Sequence, residues 1–234
     1  MTDTQFILGS GGIGDFLLLM SINYDKLDNI NLVFFANNTA HIKELVTYFP
    51  KIKKSIILDL DWERLSKFYA KENCINTGIL PKNLNFQKWQ NVNIFNEYGV
   101  IEFPKFIYEL FKPQRYAKKQ IFIQDFGSTT EQASGKVRKL QPPLFEYSSI
   151  IEPKIREGYE IITSTDIRCS TIKDVFEIIL GSDIVYSVDS FCKTFSALAG
   201  IQTYVYDNIY TNEYLTKFNG QIDTGHWVFI FCWS

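Results

Sequence analysis

Apolar residues fall along this chain in short runs separated by polar stretches, and the runs alternate in kind. Brief runs rich in β-branched and aromatic residues predict strands at Gln5–Leu8, Leu32–Ala36, Ser55–Leu58, Ile121–Ile123, Tyr159–Thr163, Asp183–Val188 and Ile201–Tyr206. Between them lie segments of helical character: Phe16–Ile22, a helix capped by Asn38 or Thr39 and closed by Pro50, and Trp62–Ala70. Thr171–Leu180 has the helical spacing Ile172, Val175, Phe176, Ile179, with Ser170 as its expected cap. Phe191–Ala199 follows Ser190 as a cap and stops at Gly200, where a C′ glycine belongs. Pro104 opens a helix through Phe106, Ile107, Leu110 and Phe111 that ends near Lys112. Leu144–Ile151 and Thr211–Phe218 also read as helical. Glu72–Tyr98, rich in asparagine, reads as loops with a short strand around Val92–Phe95, and Trp227–Trp233 is apolar enough to require burial.

Alternation of strand and helix predicts an α/β protein built on parallel sheets. Pro113, within Lys112–Tyr116, interrupts the series and predicts a linker between two Rossmann-like domains, 1–112 and 117–234. In such sheets ligands bind beyond the carboxyl ends of the strands, close to helix N-termini. Two places therefore carry candidate chemistry: the glycine-rich turn Gly9–Asp15 and the turn at Asp189–Ser190, where free N–H groups and a helix dipole suit a phosphate.

Composition removes several classes. The chain has 234 residues, 46% of them hydrophobic, and a net charge of −2, which gives no general attraction to nucleic acid or membrane. Lysines and arginines cluster locally at Lys51–Lys54, Lys112–Lys119 and Lys136–Lys139, a pattern that ordinarily marks solvated faces. Four scattered cysteines form no C-x-x-C pair, and with only His41 and His226 neither a zinc site nor a histidine-rich metal site is expected. MTDTQ has no basic leader and no run approaches the ~20 apolar residues of a membrane helix, so a cytoplasmic protein without a transmembrane segment is expected. Gly9–Asp15 is not a clean G-x-G-x-x-G, and no acidic residue is placed for a ribose after the next strand, so a dinucleotide dehydrogenase fits poorly.

Gly11-Gly12-Ile13-Gly14-Asp15 after the first strand resembles the Gly-x-Ile-Gly-Asp opening of the heptosyltransferases, which act on ADP-heptose and lipopolysaccharide. Asp189-Ser190-Phe191, with Ala197–Gly200 ending the helix, resembles that family's Asp-Ser/Thr-Gly turn and its alanine-rich helix closing on Leu-Gly. Lys139-Leu-Gln-Pro142 resembles its Lys-x-Trp-Pro. Phe191 stands where the family has glycine, and Thr194 where it has histidine, with Lys193 beside it. The resemblance implies a trimmed GT-B glycosyltransferase: two Rossmann-like domains facing a cleft, inverting, without a bound metal. A nucleotide-diphosphate sugar is its co-substrate, and no further cofactor is implied. It implies Asp15 as the catalytic base, with Gly11, Gly12 and Gly14 shaping the acceptor-side turn. Lys139, Asp189, Ser190 and Lys193 are its candidates for the donor phosphates, and its acceptor is a carbohydrate or glycolipid.

Each residue also has a plainer reading. Asp15 and Ser190 are good helix caps, Asp189 can simply order its turn, and Lys139 can be a surface lysine. Two alternatives stay open. A sugar transferase acting on modified bases in DNA would need the lysine clusters to form one basic track. A non-catalytic nucleotide-sugar-binding module is favoured by Phe191 and Thr194 and opposed by the retention of Gly14-Asp15.

Overall fold

The computed structural model describes residues 5–61, 104–124, 130–131, 136–137, 151–164, 171–187, 190–206 and 227–231. The chain divides into two compact units, Met1–Leu110 and Phe111–Ser234. Both are α/β with parallel strands.

In the first unit β1 (Gln5–Gly11), α1 (Ile13–Asn23), β2 (Ile30–Ala36), α2 (Thr39–Thr47) and β3 (Ile52–Asp59) follow one another, and the strands pair in parallel in the order β1-β2-β3. β1 runs beyond its expected end. Its ladder with β2 continues through Gly9↔Phe34, Ser10↔Phe35 and Gly11↔Ala36, so Gly12 alone lies between strand and helix. Gly14 and Asp15 belong to the first turn of α1 rather than to a loop. Gly9 leaves room for the side chains packed on the sheet: a Cβ there would lie 2.5 Å from Leu19 Cδ2 and 2.8 Å from the Phe34 ring.

The helix side of this sheet is an aromatic core. Phe16 meets the Phe34 and Phe49 rings edge-on, with centroids 5.8 and 5.2 Å away, and Phe49 in turn meets Tyr24 at 5.2 Å. A short helix, α3 (Phe106–Leu110), joins through Phe106, whose ring is 5.4 Å from both Tyr24 and Phe49. Its start is held by Asp25, whose carboxylate accepts the N–H groups of Lys105 at 2.7 Å and Phe106 at 3.2 Å.

In the second unit β4 (Gln120–Ile123), β7 (Glu160–Thr163), β8 (Ile184–Ser187), β9 (Gln202–Tyr206) and β10 (Trp227–Phe231) form one sheet in the order β10-β9-β8-β4-β7, with only β10 antiparallel. Two-residue strands β5 (Thr130–Glu131) and β6 (Lys136–Val137) pair with each other. A helical stretch, α4 (151–156), supplies Ile151 to the layer formed by Ile121, Ile123, Ile184 and Tyr186. The other helical layer comprises α5 (Ile172–Leu180) and α6 (Phe191–Leu198), where Phe176 stacks on Phe195 at 3.9 Å and Phe111 meets both edge-on.

Two expectations shift by a few residues for visible reasons. Thr171, not Ser170, caps α5: its Oγ1 accepts Asp174 N–H at 3.1 Å and Asp174 Oδ2 accepts Thr171 N–H at 3.0 Å, the reciprocal pair that needs an acidic residue three positions on. The helix expected to reach Lys112 stops at Leu110, because Lys112 N–H is taken by Glu177 Oε1 at 3.0 Å. Residues 112–116, expected as a linker, lie in the second unit and are fastened to α5. Gln114 N–H donates to Glu177 O at 2.7 Å, and Arg115 pairs with Asp183 and donates to Gly181 O at 2.9 Å. The buried Gln120 side chain completes the seam, accepting Tyr116 N–H at 2.8 Å and donating to Ser182 Oγ at 3.1 Å.

The helices expected at Trp62–Ala70 and Thr211–Phe218, the segment Glu72–Tyr98 and most of the loop Asp125–Gln141 lie outside the described residues. So do residues 144–150, and the burial expected of Trp227–Trp233 falls on side chains outside them too. Among the described residues no helix is long and apolar enough to cross a membrane.

Candidate functional site

The order of the second sheet creates its site. From β4 the chain passes to β7 on one side, then crosses to β8 on the other side and continues to β9 and β10. At such a reversal the two connections leave on opposite faces, and a crevice opens beyond the carboxyl ends of the central strands. Here those strands are β4 and β8. Three polar residues occupy their ends: Gln124, which follows β4, Ser187, the last residue of β8, and Ser190, the cap of α6.

Their hydrogen bonds converge on one atom. Ser187 Oγ donates to Gln124 Oε1 at 2.7 Å, and Ser190 Oγ donates to the same oxygen. Gln124 N–H is fixed by Tyr186 O at 2.8 Å. Gln124 is 7% exposed and Ser187 fully buried, so this is an interior polar cluster, which persists only when its members are bonded. Ser190 Oγ also accepts Cys192 N–H at 3.1 Å. A hydroxyl has one proton, and here it goes to Gln124. Ser190 therefore acts as cap and as tie between the two strand ends.

Phe191 turns its ring to Phe176, edge-on with centroids 6.1 Å apart. Its bulk is thus absorbed by α5. Lys193 is the third residue of α6 and half-buried. Lys139 and Asp189 lie outside the described residues.

In the first unit the structure brings Gly11, Gly12 and Asp15 together. Asp15 Oδ2 accepts Gly12 N–H at 2.8 Å, half of a capping box, since glycine has no side chain to return the bond. Gly11 has φ +118°, and a Cβ there would overlap the Asp15 carboxylate, so glycine is required at this position twice over. Gly12 differs: its φ of −100° suits any residue, and the nearest atoms to a Cβ would be 3.9 Å away. Asn37 N–H donates to Gly11 O at 2.9 Å, tying the ends of β1 and β2, and Asn38 caps α2 by accepting His41 N–H at 3.2 Å. Ser10 is fully buried and its hydroxyl has no hydrogen-bond partner. Strand alternation turns it away from the face where Gly9 meets α1.

Gln124 and Ser187 were not legible as site residues. A glutamine after an apolar strand carries no motif, and only its position next to β8 gives it meaning. Among the described residues no group of three or more histidine, cysteine, aspartate or glutamate side chains could hold a metal ion. No protein-family model, curated protein or solved structure matches the chain.

Proposed function

We propose that this chain is a glycosyltransferase of the GT-B kind, moving a sugar from a nucleotide-diphosphate donor to the hydroxyl of a carbohydrate or glycolipid. One observation carries the reading. Ser190, from the turn that resembles the heptosyltransferase donor turn, caps α6 beside the point where the strand order of the second sheet reverses. Resemblance and topology are independent, and both select Ser190.

In chemical terms, Asp15 takes the acceptor proton as the acceptor oxygen bonds to the anomeric carbon. The bond from that carbon to the diphosphate oxygen breaks, and a single displacement of this kind inverts the centre. Charge gathers on the leaving diphosphate, and the N-terminal turn of α6, with Lys139 and Lys193, supplies positive potential against it. A second reading, a nucleotide-sugar-binding module without catalysis, is favoured by one contact: the Asp15 carboxylate is already engaged by Gly12 N–H.

Calorimetry with UDP, ADP, GDP and CDP, followed by hydrolysis assays on sugars of the nucleotide that binds, tests both. One nucleotide is expected to bind best and its sugar to be hydrolysed slowly. Binding without hydrolysis or transfer supports the module, and no binding by any of the four defeats both readings.

A further inference from the structure

We propose that Gln124 is the positioning residue of the donor site: by holding Ser187 and Ser190 on one oxygen, it fixes the first turn of α6 against the end of β4 and stands beside the diphosphate of a nucleotide donor. The inference rests on the donor reading above and adds a residue that neither motif nor resemblance supplies.

Four observations carry it. Gln124 and Ser187 are buried polar residues at the ends of the two strands that flank the reversal of strand order. Both serine hydroxyls donate to Gln124 Oε1, so one carboxamide oxygen ties the end of β4 to the end of β8 and to the cap of α6. The backbone of Gln124 is itself pinned to Tyr186 O, so the side chain projects from a rigid strand end rather than from a loop. Ser190 in turn holds Cys192 N–H, so the position of Gln124 is transmitted to the N–H groups that open the helix.

The test uses the full chain and whichever of UDP, ADP, GDP and CDP binds it, with the corresponding nucleoside as the uncharged comparison. Gln124→Glu keeps an oxygen for both serines but adds a negative charge where the diphosphate would lie. Its Kd for the nucleoside diphosphate is expected to rise by about tenfold or more, which corresponds to ~1.4 kcal/mol, while its Kd for the nucleoside stays that of the wild type. Gln124→Leu removes the acceptor, and should also raise the diphosphate Kd more than the nucleoside Kd, with the far-UV circular dichroism unchanged. Equal weakening of both ligands, or no change in either variant, overturns the positioning role while leaving the donor reading intact. Failure of the wild type to bind any of the four diphosphates overturns both.

Discussion

Asp15 can be a base, a cap or both, and two substitutions separate these roles. Its Oδ2 receives Gly12 N–H at 2.8 Å from a half-buried position in the first turn of α1. Asparagine keeps an oxygen at that place and loses only the charge, which near a helix N-terminus contributes about 0.3–1 kcal/mol. Alanine loses the bond as well, and a hydrogen bond to a charged group contributes about 1.5–3 kcal/mol. In a chain of this length each kcal/mol shifts Tm by about 2–4 °C, so Asp15→Asn should lower Tm by roughly 1–4 °C and Asp15→Ala by roughly 3–12 °C. A general base behaves differently, because its removal typically lowers turnover by ~10²–10⁴ and asparagine removes it as completely as alanine does. Thermal denaturation and turnover of the nucleotide sugar that binds are therefore measured on the same preparations. The base reading expects turnover to collapse at asparagine while Tm falls mainly at alanine. Wild-type turnover in Asp15→Asn would refute it and leave Asp15 as a cap.

Two further substitutions probe the scaffold. Gly181 has φ −79° and ψ −7°, so Gly181→Ala should stabilise by about 0.4–1 kcal/mol through the unfolded chain alone. Its Cβ, however, would overlap the Gln114 carbonyl, endangering two hydrogen bonds of about 1 kcal/mol each and adding overpacking of about 1–3 kcal/mol. A net loss of about 2–4 kcal/mol is expected in urea unfolding, and an unchanged or raised midpoint would show that residues 112–116 are not seated on α5. Burial pushes the Tyr24 phenol above its usual value of 10.0. The folded state therefore holds that proton more tightly than the unfolded one. This contribution is fully present below pH 10 and is lost as pH rises through the raised value. Tyr24→Phe should flatten the alkaline fall in stability, and an identical fall in both proteins would contradict the shift.

The elements were legible where one residue pattern decides them. Ser190 before Phe191 and Gly200 after Ala199 bracket α6 because capping is a local hydrogen-bonding requirement, and Gly200 takes φ +74°. β3 was read too short because Lys53 and Lys54 are exposed; its early residues pair with β2 through backbone groups that leave no trace in hydropathy. Gln120 shows the opposite failure. A polar residue opening an apolar strand looks like a boundary, yet it is fully buried because its amide serves Tyr116, Ser182 and Ile178 at once. The site at Gln124 was hidden for a longer-range reason. Its meaning depends on β4 pairing with both β7 and β8, and no window of the sequence contains all three strands.

Charge at the helix ends assigns the two units different tasks under the proposed function. The first turn of α1 contains Asp15, whose carboxylate already answers the positive end of that helix. A diphosphate brought there would meet a fixed negative charge. The first turn of α6 contains no acidic residue and is capped by the neutral Ser190 hydroxyl, so its N-terminal potential is not cancelled from within the helix. A neutral acceptor hydroxyl, in contrast, gains from a nearby carboxylate that can take its proton. Under the proposed function the acceptor is therefore assigned to the turn of Gly11, Gly12 and Asp15, and the charged donor to the strand ends joined by Gln124. Under the same proposal a carboxylate introduced at Gln124 should weaken donor binding, whereas loss of the carboxylate at Asp15 should spare donor binding and remove turnover.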